Sequence, residues 1–432
     1  MIGKIQQAFH HQGFRKYFFN TGWLMADKVV SLFAGLFVGV YVARYLGPER
    51  FGLLNYAVSF VGLFTAFATL GLDQIVIRNL VQNIENRDQL LGTAFILKLM
   101  GGILLFGAVA LAVRFTSSDS YTKLLIFIIA GGMIFESLKV VDFYFQSQVL
   151  GRFSSIAGIC ALCASSLLRI SLVFFQAPLV WFAVAQVFST GILGLMLLFF
   201  YFKHGRSVLK WHFDWSAAKE LLQDSWPLIL SGLVVMIYMR IDQVMIKEML
   251  GSEAVGNYAA ATRLSEAWYF IPMIIIQSLF PAILNAKSQS EECYYRRLQS
   301  LYNLMVRLSV IIALLMTFLS DWIINLLYGA EYSQAATVLA IHIWAGINVA
   351  MGAVWSKWII SENKQLIATY GHVVGAILNI IFNIFFIPKF GIKGAALATL
   401  FSYFFSAFFV YTLYRPRIAY RMFFKTITLW GK

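Results

Sequence analysis

An all-α integral membrane protein is the fold class this sequence predicts, and three observations predict it. The 432-residue chain is 60% hydrophobic and only 12% charged, against about 25% charged in soluble domains. Apolar runs of about 20 residues recur along its whole length, and each is long enough to cross a bilayer core as a helix. Aromatic residues make up 16% of the chain, with 40 Phe, which suits lipid-facing surfaces and interfacial belts. The net charge of +14 is scattered among apolar spans rather than gathered in a basic domain. That pattern argues against nucleic acid as a partner.

Twelve spans follow from the apolar runs. They lie near residues 20–44, 51–77, 90–113, 121–147, 153–175 and 178–202, then 224–249, 254–284, 298–320, 333–359, 365–387 and 392–414. The expected organisation is a short amphipathic lead-in (1–19) that carries Lys4, Arg15 and Lys16, with no cleavable signal peptide. An N-terminal six-helix lobe (20–202), a basic linker (203–223), a C-terminal six-helix lobe (224–414) and a basic tail (415–432) follow. Within the linker, Trp215 to Leu222 reads as a surface helix at the membrane interface.

A repeat supports two equivalent lobes. Leu46-Gly47-Pro48-Glu49-Arg50-Phe51-Gly52 lies between the first two spans, and Leu250-Gly251-Ser252-Glu253-Ala254-Val255-Gly256 lies between the seventh and eighth. Each reads as a tight helix-to-helix turn. Gly47 and Gly251 suit a left-handed helix end, Pro48 a first helical position and Ser252 an N-cap. Glu49 and Glu253 then fall in the first turn, where the helix dipole favours negative charge, and Gly52 and Gly256 permit close backbone approach. Pro178 and Pro388, ahead of the sixth and twelfth spans, echo the duplication, and Gly391-Ile392-Lys393-Gly394-Ala395-Ala396 opens the twelfth with small residues. An even number of crossings returns the chain to its starting side. The copies should therefore be parallel repeats about an axis along the membrane normal, around a central cleft. About nineteen Lys and Arg on one side against about seven on the other place both termini in the cytoplasm.

Ionisable residues inside spans are costly and usually face a cavity or a partner. Asp27 and Lys28 lie in the first span, Lys98 in the third, and Glu136, Lys139 and Asp142 in the fourth. Arg240 and Asp242 lie in the seventh, and Arg263 and Glu266 in the eighth. Glu136/Lys139 and Arg263/Glu266 are each three apart and share a helix face, so internal ion pairing competes with a functional role. Lys28, Lys98, Arg240 and Arg263 are the candidate cavity cations for an anionic substrate; arginine suits phosphate because its planar fork donates two hydrogen bonds at once. Asp27, Asp242, Glu266, Glu136 and Lys139 are the candidate charge partners or coupling groups. Pro272 interrupts the eighth span and is the candidate hinge. His342 and His372 read as packed or interfacial residues, and Cys160 and Cys163 as small packing residues in the fifth span rather than metal ligands. Neither a Walker-type glycine loop nor a metalloprotease or zinc motif occurs, so no enzyme and no cofactor is expected.

Several of these segments resemble the bacterial polysaccharide-unit (O-antigen and capsule) flippases of the multidrug/oligosaccharidyl-lipid/polysaccharide exporter superfamily. The resemblance covers nearly the whole chain. Its most specific pieces are the first turn, Arg240-Ile241-Asp242-Gln243-Val244-Met245-Ile246 and Gly256-Asn257-Tyr258-Ala259-Ala260-Ala261-Thr262-Arg263-Leu264-Ser265-Glu266. Trp268-Tyr269-Phe270-Ile271-Pro272, Phe280-Pro281-Ala282, Asp142-Phe143-Tyr144-Phe145-Gln146 and Phe390-Gly391-Ile392-Lys393-Gly394 add to it. The resemblance implies a two-lobed, twelve-helix protein of the inner membrane. It would move an undecaprenyl-diphosphate-linked oligosaccharide from the cytoplasmic to the periplasmic leaflet by alternating access, alongside membrane lipid, a polysaccharide polymerase and chain-length proteins. The alternatives are a cation-coupled multidrug exporter of the same superfamily and a membrane polymerase or ligase of lipid-linked sugars. Cations among the intramembrane charges weigh against the exporter, and short outside loops weigh against the enzyme.

Overall fold

The computed structural model describes residues 12–287, 290–362, 364–414 and 416–428. Most of the expected lead-in, Arg415 and the end of the expected tail lie outside them. Every regular element among the described residues is helical. The α-helices are α1 (Gln12–Gly62), α2 (Thr65–Thr69), α3 (Leu72–Gln82), α4 (Arg87–Ala112), α5 (Ser120–Gly132), α6 (Val140–Ser147), α7 (Gly151–Phe174) and α8 (Leu179–Lys203). Then come α9 (Trp215–Leu250), α10 (Ser252–Ala267), α11 (Phe270–Lys287), α12 (Glu291–Leu327), α13 (Ser333–His342), α14 (Ala345–Ser361), α15 (Gln365–Phe390), α16 (Ile392–Tyr414) and α17 (Pro416–Thr428).

Their starts follow local capping chemistry. Asp119 caps α5 by accepting from the Thr122 N–H, and Ser290 caps α12 by accepting from the Cys293 N–H. Asp214, ahead of α9, accepts from the Ala217 N–H at 2.7 Å, and that bond holds its carboxyl below the usual carboxylate range. No breaker stands between Trp215 and Pro227, so the stretch expected as a separate surface helix forms instead the first turns of the 36-residue α9.

Nine helices among the described residues are long and apolar enough to cross a membrane, or ten if the pair Ala330–His342 and Ala345–Ile359, bent by 41°, is one span. The expected count of twelve departs from this in three places. The second span is broken: α1 is two helical stretches joined across a kink at Gly47, and short α2 and α3 follow. The tenth is the bent pair, and the twelfth lies in the 23-residue α16, counted as apolar over its described side chains Ile392–Phe408. Apolar faces turned outward match a bilayer solvent: on α4, Met100, Ile103 and Leu104 are exposed while Leu97, Gly101 and Leu105 are buried. Cys160 and Cys163 do share a face, but it is the exposed one, so they do not pack in the interior as expected.

The chain divides into two compact units. One holds the described residues up to Tyr45 together with Phe60–Met236, and the other holds Leu46–Ser59 with Ile237 onward. The first has its core where Leu72, Val76, Leu91, Val141, Phe145 and Tyr201 meet. The second has an aromatic core around Tyr294, Tyr302, Trp355 and Trp358. Both α1 and α9 therefore contribute to each unit, one part at a time.

Within the second unit the two repeat turns meet each other. Gly47 has φ 69° and Gly251 φ 93°, the left-handed region that glycine alone enters at little cost. Five residues on, a Cβ on Gly52 would overlap the carbonyl oxygen of Ser252, and a Cβ on Gly256 would overlap that of Pro48. Pro48 and Ser252 are the equivalent positions of the two copies, so the contact is reciprocal: each copy's glycine faces the other copy's second turn residue. Two further bonds tie Leu46–Ser59 to α9. Ser59 donates to Gln243 Oε1 at 2.8 Å, and Tyr56 donates to Glu248 Oε1 at 2.9 Å. Gly52→Ala and Gly256→Ala should each destabilise the detergent-purified protein by roughly 2 kcal/mol or more, because backbone must move to admit the methyl. Gly107→Ala, with no neighbour within 4 Å, should leave the thermal midpoint unchanged or raise it.

Candidate functional site

In the first unit, the buried charges are mostly matched. Lys98 is 1% exposed. Its Nζ lies 3.1 Å from Asp73 Oδ1 of α3 and 4.9 Å above the Phe143 ring. Lys139 Nζ reaches Glu136 Oε1 at 2.6 Å, the pair expected from their spacing, on a 3-10 stretch between α5 and α6. Lys28 is exposed, whereas Asp27 is half-buried and set against Gly158 of α7. Asp142 of α6 is within electrostatic reach of Asp27 and accepts from Gln146 at 2.7 Å. The Oδ1 atoms of Asp27 and Asp142 are both buried without a hydrogen-bond partner among the described residues.

The second unit gathers Arg240, Asp242, Arg263 and Glu266. Glu266 is within electrostatic reach of the other three. Arg240 and Arg263 are half-buried, and among the described residues neither makes an ion pair within 4.0 Å. The pairing of Arg263 with Glu266 that their spacing allows is thus not formed as a direct contact. Asp242 is 5% exposed. Its Oδ2 accepts from Tyr258 at 2.6 Å and from Thr399 at 2.9 Å, while its Oδ1 is buried and unpartnered among the described residues. From Thr399 a buried polar chain runs through Ser402 and Asn379 to Asn383: Ser402 donates to the Thr399 carbonyl, Asn379 to Ser402, and Asn383 to Asn379. His342 is buried and its Nδ1 lies 2.9 Å from Ser265 Oγ, in keeping with a packed histidine.

Pro272 is not where the eighth span breaks. The break falls at Trp268–Tyr269, between α10 and α11, and Pro272 sits buried in the first turn of α11. A proline there lacks only an N–H that a helix start would leave unbonded. The kink instead accompanies Trp268, whose ring fills the space beside Gly346.

Sequence reasoning missed Asp73, although a lone carboxylate near the end of an apolar run carries the same signal as Lys98. It also missed Tyr258, Thr399, Asn379 and Asn383. Neutral polar residues at single positions in a span carry no signal until the fold brings them to one carboxylate. Chemically, two half-buried guanidinium groups suit a phosphate or diphosphate. A buried carboxylate with one bare oxygen suits a proton or a small cation. No group of three or more His, Cys, Asp or Glu arranged to hold a metal ion occurs among the described residues.

Residues 18–287 match the family model described as polysaccharide biosynthesis protein, and residues 227–385 match the MatE family model. A Haloferax volcanii protein described as a "probable low-salt glycan biosynthesis flippase" is 23% identical, over 86% of this chain and 78% of its own. The Staphylococcus aureus capsular polysaccharide biosynthesis protein CapF is 20% identical, over 92% of this chain and 98% of its own. Among solved structures, an inward-facing multidrug resistance MATE family transporter aligns with TM-score 0.73 at 14% identity, covering 90% of this chain and 94% of its own. The lipid II flippase MurJ, in an inward closed conformation, aligns with TM-score 0.72 at 14% identity, covering 95% and 91%. At that identity the two structures speak for the fold.

The Lys98–Asp73 pair gives a direct check on the geometry. Asp73→Asn, which leaves a buried ammonium without its counter-charge, should cost about 1–3 kcal/mol in thermal unfolding, less than a fully buried pair because Asp73 is half-exposed. The double variant Lys98→Met/Asp73→Asn should recover most of that loss.

Proposed function

The chain belongs to the polysaccharide biosynthesis protein family, and from that premise we propose that it is a flippase: it carries an undecaprenyl-diphosphate-linked oligosaccharide from the cytoplasmic to the periplasmic leaflet of the inner membrane. The proposed architecture is twelve spans in two parallel six-helix lobes with both termini cytoplasmic, working by alternating access. The observation that carries the reading is the state of Arg240 and Arg263. Both are half-buried inside apolar helices, and neither is neutralised at contact distance among the described residues. An unmatched guanidinium in that setting is costly unless an anion visits it, and a diphosphate headgroup is such an anion. In the first unit Lys98 is already paired with Asp73, and Lys28, exposed on α1, is the better candidate cation. The relatives described as flippase and capsular polysaccharide protein support the same cargo class.

Asp242 is the proposed coupling group. Its bare oxygen takes up a proton or small cation, and Tyr258 and Thr399 hold the other oxygen in place. Asp27 with Asp142 is a second candidate of the same kind in the first unit.

A cation-coupled multidrug exporter is the other reading. The MatE match over residues 227–385 favours it, as do these buried carboxylates. The two readings separate by phenotype. Deleting the protein from its host should leave lipid-linked sugar intermediates accumulated and surface glycan missing, with no change in resistance to cationic dyes. The opposite pattern would select the exporter.

In complementation of that deletion, Arg263→Ala and Arg240→Ala should each lower surface glycan at least ten-fold at normal expression, and Arg263→Lys should retain part of the activity. Wild-type glycan from both alanine variants would remove the arginines from the site. Asp242→Asn keeps the acceptor oxygen for Tyr258 and Thr399, so it should fold normally and still lose at least ten-fold in transport. Full activity would exclude Asp242 from coupling.

A further inference from the structure

We propose that the C-terminal helix α17 and the start of α12 form a binding site for an anionic membrane phospholipid, separate from the transport site. Two adjoining grooves of opposite character carry the inference. The first, of about 810 Å³, carries the charged and polar side chains of Arg296, Gln299, Ser300 and Asn303 of α12 and of Arg421 and Lys425 of α17. Glu292, which pairs with Arg296 at 3.2 Å, is the acidic residue in that wall, so cations outnumber it three to one. The second groove, of about 440 Å³, is walled by apolar side chains, among them Val306, Ile347, Met351, Phe401 and Phe404. A single stretch of α17 divides the two: Met422 and Lys425 face the cationic groove, and Phe423 and Thr426 face the apolar one.

The divide is rigid. Gln299 Nε2 donates to Asn303 Oδ1, to the Met422 carbonyl and to Thr426 Oγ, and Thr426 donates to Asn303 at 2.6 Å. Met422 and Thr426 are buried in this seam, while Tyr420 and Phe424 are exposed on the other side of the helix and stack on each other. Arg421 and Lys425 are exposed between those faces. Aromatic residues on one flank and cations on the next are the mark of a helix lying in the membrane interface. α12 points to the same depth. Its polar start, Glu291 to Asn303, gives way to the exposed apolar Leu304, Ile311, Leu315 and Phe318. A cationic groove at the level of the headgroups, flanked across the α17 divide by an apolar groove of limited volume, fits a phosphate-bearing head and a membrane-lipid acyl chain.

The test uses the full chain purified in detergent and a fluorescent phosphatidylglycerol. Binding should be saturable and displaced by unlabelled phosphatidylglycerol, but neither by phosphatidylcholine nor by millimolar inorganic phosphate. Arg421→Gln/Lys425→Gln should weaken it roughly ten-fold or more, with the thermal midpoint measured alongside to show that the fold is kept. Lys203→Gln/Lys210→Gln, which removes two exposed cations elsewhere, should bind like the unaltered protein. Equal loss in the two double variants would reduce the effect to bulk charge and overturn the proposal. So would equal binding of phosphatidylcholine, displacement by inorganic phosphate, or tighter binding of a short polyprenyl phosphate than of phosphatidylglycerol. Because the readout is lipid binding rather than glycan export, its outcome is independent of the transport cargo.

Discussion

The meeting of two helix turns without side chains between them is the constraint on which the second unit depends. Gly52 and Gly256 each lie against the backbone of the other turn, close enough that no Cβ fits. In a bilayer, apolar side chains gain little by leaving lipid for protein, so association rests on close packing and on polar contacts. Glycine allows the first, and the surrounding bonds from Tyr56 to Glu248 and from Ser59 to Gln243 supply the second. Together they explain how a fourteen-residue piece of the first long helix, Leu46–Ser59, groups with the half of the chain beginning at Ile237.

The same solvent logic orders the charges. A charge held in an apolar helix either finds a partner or is kept for a visitor. Lys98 and Lys139 have partners at 3.1 and 2.6 Å. Arg240 and Arg263 do not, among the described residues, and they share their neighbourhood with Glu266 and Asp242. Among the described residues, buried carboxylate oxygens recur in both units without a donor: Asp27 and Asp142 in one, Asp242 in the other.

Much of this was legible in the sequence because the bilayer enforces simple rules. Apolar run length identifies helices, and the turn at Gly47 is read correctly because its copy at Gly251 repeats Leu, Gly, Glu and Gly at matching positions. The span count fares less well. Run length alone treats 51–77 as one helix, whereas left-handed Leu70 and Gly71 break it, a conformation that leucine gives no reason to expect. Pro272 misleads in the opposite sense, since a proline that looks like an interruption from within a run is harmless in the first turn of α11. At the candidate site, the charged residues are visible in sequence and their partners are not. Asp242 meets Thr399 only after more than 150 intervening residues have folded, and a threonine in a span has no local signature of that role.

The reciprocity of the two turns has a mechanical consequence. If a transport cycle separated Gly52 from Gly256, it would expose backbone carbonyls of Pro48 and Ser252 that now face each other's helix, together with a buried Ser59–Gln243 bond. The carbonyls keep the bonds of their own helices, so what parting would leave bare is the Ser59 and Gln243 side chains, and an unsatisfied polar group costs several kcal/mol in hydrocarbon but little where water enters. Opening at these turns is therefore affordable only when it admits water, and closing them expels that water without leaving any polar group bare. A contact of backbone on glycine, rather than of interlocking side chains, is thus suited to being made and broken. It is tight when dry, it requires no rotamer to change, and its open form is stabilised by water.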